Sequence, residues 1–182
     1  LKEKRMFNEF KNPDGTFKGE FYDLDYYENG KQSKKGWLEN FHYIPERSHA
    51  EAKAFIKELE LNNDSRVLDF GCAKGFLVKA FRELGIDADG CDISDYALSF
   101  APAGCWNCTD LRVWQAYTGG GYTDIVCKDV FEHFTPEQLQ RTLVKLSRLA
   151  GKMTCVVPMG DRGVYRIPEY DLEVSHLIAE NE

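Results

Sequence analysis

A chain of 182 residues, 43% hydrophobic and 29% charged, has the length and composition of one globular domain with a substantial core. Its net charge of −7 argues against a nucleic-acid partner, which needs a basic face, and no run approaches the ~18 apolar residues of a membrane span. No secretory signal opens the chain, which starts at Leu1, so the expected location is the cytoplasm, with thiols reduced.

The first 46 residues show no clear period and read as an aromatic-rich cap. They hold a strong turn signal, Asn12-Pro13-Asp14-Gly15, and the cluster Phe21, Tyr22, Tyr26, Tyr27. Residues 31–36 are polar and read as a loop. Over 47–61, Ala50, Ala54, Phe55 and Leu59 follow helical spacing. A buried strand at 67–70 leads through a turn into a helix over 75–84, closed by Gly85. A second strand spans 87–92, and Ser94 caps a short helix running to about Phe100. Weak signals suggest a third strand at 104–107 and a short helix at 111–117, followed by a Gly119-Gly120-Gly121 hinge. A fourth strand spans 124–128. Thr135-Pro136 opens a helix with Leu139, Leu143, Val144, Leu146 and Leu149 on one face, stopped by Gly151, and a fifth strand covers 152–157. Residues 159–182 form a turn-rich tail with a helix start near 174–180 and no further strand. Five strands alternating with helices predict an α/β fold, a doubly wound, mainly parallel sheet.

The most informative stretch is Asp69-Phe70-Gly71-Cys72-Ala73-Lys74-Gly75, where strand one becomes a helix. Gly71 and Gly75 permit a tight turn and a close approach to a ligand. A carboxylate at the strand end is a poor host for a pyrophosphate and a good one for a cation, which points to a positively charged cofactor. Three further acids follow in order: Asp92 closes strand two, Asp110 follows strand three in Thr109-Asp110-Leu111, and Asp129-Val130-Phe131-Glu132-His133 follows strand four. A lone acid at a strand end is usually a cap or turn residue; four at successive strand ends are hard to explain that way. With this set the chain, over 47–158, resembles the class I S-adenosylmethionine-dependent methyltransferases, nearest their small-molecule branch with D-x-G-C-x-x-G and D-V-x-E-H segments.

The resemblance implies a Rossmann-like core and S-adenosyl-L-methionine as cofactor, with S-adenosyl-L-homocysteine as product. It assigns Asp69, Gly71, Cys72, Ala73 and Gly75 to the methionine portion, with Asp129 on the floor beside it. Asp92, followed by Ile93, would meet the ribose hydroxyls, and Asp110 with Leu111 the adenine edge. Ala73 stands where the family often has glycine. The family fold usually ends with a helix and two more strands, which this sequence does not show. A shortened chain, a naturally minimal variant and a partner or second copy covering the sheet edge all stay open.

Methyl transfer to a hydroxyl needs a group to remove its proton. His133, just after strand four, is the first candidate base, with orientation of the next helix as its structural alternative; His176, in the tail, is the second. Tyr22, Tyr26, Tyr27, Trp37 and Tyr43 either cover the site as a lid or pack the first helix onto the sheet. Cys105-Trp106-Asn107-Cys108 has no second pair to complete a metal site, so no metal is expected; Cys72, Cys91, Cys127 and Cys155 read as small buried hydrophobes. The favoured acceptor is a small molecule, a hydroxyl of a sugar or related metabolite. A non-catalytic cofactor-binding subunit is the alternative, and a nicotinamide-dependent dehydrogenase a weaker one, lacking G-x-G-x-x-G.

Overall fold

Five short segments become one parallel sheet in the computed structural model, which describes residues 7–109, 121–161 and 164–177. The strands are β1 (Arg66–Phe70), β2 (Asp87–Asp92), β3 (Cys105–Asn107), β4 (Tyr122–Lys128) and β5 (Ala150–Val156). Their order is β3-β2-β1-β4-β5, with each neighbouring pair parallel. The chain thus winds outward from β1 in one direction and returns on its other side. The two windings part between β1 and β4, and a crevice forms there at the carboxyl ends, where such sheets bind ligands.

Helices are α1 (Leu24–Glu28), α2 (Gly30–Ser33), α3 (Pro45–Leu59), α4 (Phe76–Glu83), α5 (Asp95–Leu98) and α6 (Pro136–Leu146). Strand alternation sends Val67 into one layer and Leu68 into the other. The first layer joins Ala52 and Phe55 of α3 to Val78 and Phe81 of α4, over Val67, Ala88 and Val126. The second sets Leu146 of α6 against Leu68, Phe70, Ile125 and Cys127. Each fully buried Val, Leu, Ile or Phe among these contributes about 1.5–3 kcal/mol. A third cluster holds Phe7, Phe17, Phe21, Tyr22, Tyr26 and Tyr27 against Ala97 of α5.

Two cap readings hold. Ser94 Oγ accepts from the Ala97 amide at 3.0 Å and Thr135 Oγ1 from the Gln138 amide at 3.2 Å. Other expectations need correction. Pro45 pre-sets the first turn of α3, which starts before residue 47, and its buried face is Ser48, Ala52 and Phe55, while Ala50 and Ala54 face outward. Gly151 lies inside β5 rather than stopping α6, which ends at Leu146, and Val144 is exposed. Lys35, in the stretch read as a polar loop, is buried and donates to the Phe21 carbonyl at 2.9 Å. β5 borders the sheet with Met153, Cys155 and Val156 exposed, so Cys155 is not the buried thiol expected. Beyond it, β6 (Gly160–Asp161) and β7 (Val164–Tyr165) make a small antiparallel pair absent from the sequence reading. The helix read at 111–117, and Gly119 and Gly120, lie outside the described residues. No helix among the described residues is long and apolar enough to cross a membrane.

Candidate active site

At the carboxyl end of β1, Gly71 turns the chain at φ +83°, where a Cβ would stand 2.2 Å from a Val130 methyl. The amides of Gly71 and Cys72 both donate to the Cys91 carbonyl, at 2.7 and 3.0 Å. A contact from Gly71 to a ligand is therefore left to its carbonyl, which suits a cation. Ala73 holds φ +47°, a left-handed conformation costly for a side chain, fixed by its amide donating to Asp92 Oδ2 at 2.8 Å. Gly75, at φ +69°, caps α4; it packs on Ala101 and Pro102 beneath the turn and does not itself line the cavity.

The turn forms one wall of a cavity of about 400 Å³, a common size for a small-molecule site. Asp69, Gly71, Cys72, Ala73, Asp92, Ile93 and Asp129 of the predicted set line it, together with His133 and His176. Asp110 and Leu111 lie outside the described residues. Asp92 is mainly a brace for the turn: Oδ1 accepts from the Ser94 amide and Oδ2 from the Ala73 amide, both at 2.8 Å. Each oxygen has a second lone pair, so the carboxylate still has capacity for ribose hydroxyls. Asp129 sits at φ +54°, with its carboxylate 2.5 Å from Lys128 Nζ.

The aromatic segment is a wall of the cavity as well as a packing layer. Tyr22, Tyr26 and Tyr27 are buried and line it, as does Trp37, while Tyr43 does not. Ser94 Oγ donates to the Tyr22 carbonyl, tying this segment to the end of β2. Lys74 fastens it from the turn: its buried ammonium pairs with Glu28 and donates to the Phe41 carbonyl at 2.7 Å. The Phe100 ring lies 4.7 Å from the same nitrogen. Neither contact has a sequence signal, because Lys74 reads as an ordinary turn residue.

The two histidines meet at the other end. A short 3-10 turn, Phe131–His133, carries Glu132 and His133 inward, and the tail returns after Pro168–Leu172 to deliver Glu173, Ser175 and His176. The imidazole rings lie 4.7 Å apart. His133 Nδ1 is 2.9 Å from Ser175 Oγ, which in turn donates to Glu173 Oε1 at 2.7 Å. Burial pushes His133 down to about 4, so its ring is neutral near pH 7. His176 donates from Nδ1 to the Tyr170 carbonyl at 3.1 Å.

The cavity concentrates acid. Asp69, Asp92, Glu132 and Glu173 all line it and are each at least 92% buried. Loss of water raises every one of them: Asp69 and Glu173 to about 7, Glu132 to about 8, Asp92 upward. Glu132 and Glu173 are the site residues that sequence reasoning missed; both stand beside the quoted histidines, and only tertiary placement shows them buried. Of the Cys105/Cys108 pair, Cys105 packs with the layer of α3 and α4 and Cys108 with that of α6.

A carboxyl-lined crevice with a glycine-turned floor fits a ligand carrying positive charge, and S-adenosyl-L-methionine carries an ammonium and a sulfonium. A model of methyltransferase domains matches residues 41–162. Among solved structures, a SAM-dependent methyltransferase from Archaeoglobus fulgidus aligns at 17% identity and TM-score 0.55, over 72% of this chain and 63% of its own. The glycopeptide N-methyltransferase MtfA, complexed with S-adenosyl-L-methionine, aligns at 15% identity and TM-score 0.50, over 64% of this chain and 57% of its own. The chain thus spans under two thirds of each of these relatives, and at such identities they establish the shared fold. No curated protein sequence matches. The family match covers most of the chain and coincides with the sheet and crevice just described: this chain belongs to the methyltransferase-domain family and has its Rossmann-like α/β fold.

Proposed function

We propose that the protein is an S-adenosylmethionine-dependent methyltransferase acting on a small molecule, with a hydroxyl of a sugar or related metabolite as acceptor. The observation that carries this reading is the row of buried acids in one cavity. Carboxyl groups held without water are costly, and a cationic ligand offsets that cost. When bound, the cofactor supplies a methyl group on a sulfonium, a good leaving group. In this reading Asp69 and the Gly71 carbonyl hold the cofactor's ammonium, and Asp92 takes the ribose hydroxyls. Asp110 and Leu111 keep their sequence-based assignment to adenine.

His133 and His176 close the opposite end of the cavity and face the acceptor, where its nucleophilic atom must lose a proton. Tyr22 packs edge-on to His133 with ring centroids 5.8 Å apart, and Tyr170 stacks on His176 at 5.7 Å, so both imidazoles are held by aromatic neighbours. Tyr22, Trp37 and Tyr170 present rings with polar handles, which suits a polyol. Residues 7–44 act in this proposal as a lid over the core at 47–158, and the tail completes the acceptor side.

Thermal-shift measurements with S-adenosylhomocysteine and NAD test the cofactor. At a hundredfold excess over Kd, S-adenosylhomocysteine should stabilise by about 2.7 kcal/mol, raising Tm by roughly 5–10 °C. A shift with NAD alone would refute the reading. Transfer of a labelled methyl group to a panel of sugars and other hydroxyl metabolites then tests the acceptor; incorporation confined to amines would overturn the hydroxyl assignment.

A further inference from the structure

We propose that Glu132, His133 and His176 form a binding site for one divalent transition-metal ion at the acceptor end of the cavity. One ligand atom from each residue lies within 4.8 Å of the others. The set of two imidazoles and one carboxylate, with the cavity supplying an open position, matches a catalytic rather than a purely structural centre. Metal bonds of about 2.1 Å place tetrahedral ligands about 3.4 Å apart, so the cluster closes on an ion by roughly an ångström of side-chain rotation. His176 Nε2 and Glu132 Oε1 are already 3.8 Å apart.

The second observation is Glu132 itself. Its side chain is fully buried and lines the cavity, yet neither carboxyl oxygen has a hydrogen-bond partner. A buried carboxyl left in that state is costly, and a cation resolves it. Hydrogen bonds at Nδ1 orient both rings. The Ser175 hydroxyl proton is committed to Glu173, so His133 Nδ1 is the donor to Ser175 Oγ at 2.9 Å, with the Tyr22 hydroxyl farther off at 3.5 Å from the same nitrogen. A carbonyl only accepts, so His176 Nδ1 is likewise the donor to Tyr170 O. With Nδ1 engaged as donor in each ring, Nε2 is the nitrogen that would meet the metal. Such outer N–H bonds, to a hydroxyl and a carbonyl, are the arrangement that orients metal-bound imidazoles. Sequence spacing gave no hint of this set, because His176 arrives from the tail.

The site's chemical use rests on the methyltransferase reading; its ability to bind metal does not. An acceptor hydroxyl entering the open position loses its proton to solvent water more readily. The resulting oxygen forms the new O–C bond as the C–S bond breaks, with the electron pair leaving on sulfur as a neutral thioether.

The test is titration calorimetry of the dialysed protein with Zn²⁺, and visible spectroscopy with Co²⁺ as probe. One equivalent of Zn²⁺ should bind, and Co²⁺ should give the absorption of a low-coordinate nitrogen–oxygen site. Glu132→Gln and, separately, His176→Asn should each weaken Zn²⁺ at least tenfold. A Cys105→Ser/Cys108→Ser variant should bind as before. The S-adenosylhomocysteine thermal shift, measured on every variant, verifies folding. Absence of stoichiometric binding, equal affinity in Glu132→Gln and His176→Asn, or loss of binding in the cysteine variant each overturns the proposal. Zn²⁺ binding without S-adenosylhomocysteine binding would remove the methyltransferase reading and leave the metal site; the converse would remove the metal site alone.

Discussion

Replacing Asp69 by Asn should flatten the pH dependence of cofactor binding. In the free protein the Asp69 carboxyl is pushed up to about 7, first by burial and then by the neighbouring Asp92. Glu51 of α3 adds to this, and Lys128 at the end of β4 opposes it. Below pH 7 the free protein therefore holds a proton there, which an incoming ammonium must expel. If the cation keeps Asp69 ionised throughout this range, Kd should rise about 50-fold from pH 7 to pH 5, or about 2.3 kcal/mol. Folding responds in the opposite sense: with an ordinary value of 3.8 unfolded and about 7 folded, the group's favourable contribution is complete in acid and is lost as pH rises through 7. Calorimetry with S-adenosylhomocysteine, which keeps the ammonium, should be run from pH 5 to 8.5 in buffers of different ionisation enthalpy. About half a proton should be released per ligand at pH 7, and nearly one at pH 6. Asp69→Asn should bind at least tenfold more weakly at pH 8, with little slope below pH 7. An unchanged slope in this variant would show that other groups carry the titration and would defeat the argument.

Backbone and anchoring changes give further outcomes. Ala73→Gly removes the left-handed penalty at φ +47° of about 1–2 kcal/mol and adds about 0.5–1 kcal/mol of chain entropy. The net gain, about 0.5–1 kcal/mol, should appear as a Tm higher by about 2–3 °C. Gly71→Ala is the converse: its Cβ would lie 2.2 Å from the Val130 methyl at φ +83°, so urea unfolding should show a loss of at least about 2 kcal/mol with weakened S-adenosylhomocysteine binding. Lys74→Met takes the ammonium from Glu28, which the Tyr96 hydroxyl still meets at 3.1 Å, and from the Phe41 carbonyl, at about 2 kcal/mol, and limited proteolysis within residues 7–44 should accelerate. Unchanged proteolysis would mean that Lys74 does not fasten the aromatic segment.

What the sequence showed of the fold follows from how parallel strands are buried. Leu68 and Val67, or Ile125, Val126 and Cys127, are covered on both faces and so read as unbroken apolar runs. β5 is an edge strand with much of its surface exposed, and its limits and neighbours were correspondingly misread. The glycine-turned crevice was legible because turn chemistry is local: Gly71 and Gly75 adopt the positive φ their identity permits. Ser94 and Thr135 were legible as caps for the same reason. The acceptor end was not, because its contacts are distant in sequence. Tyr22 reaches His133 across 111 positions, and Ser175 reaches it across 42. Nothing local distinguishes Glu132, Glu173 or Lys74 from solvated charges, since burial is decided by what packs over them.

Ala73 and Asp129 both hold left-handed backbone, and four neighbouring carboxyls are held away from water, all around the same cavity. Each feature costs stability by itself, of order 1–3 kcal/mol per strained residue and more per buried charge. Packing does not require them, for the three apolar clusters close without any of these side chains except Ala73 at the margin of one. A fold that carries such costs in one place is held ready for a ligand that relieves them. The turn end offers Asp69 and Asp92, and the tail end offers Glu132 between two histidines. Positive charge is therefore accommodated at two positions in one cavity, one suited to an ammonium and one to a metal. A dinucleotide, with its anionic pyrophosphate, would aggravate both, which is why the acids discriminate between cofactors more sharply than the fold does.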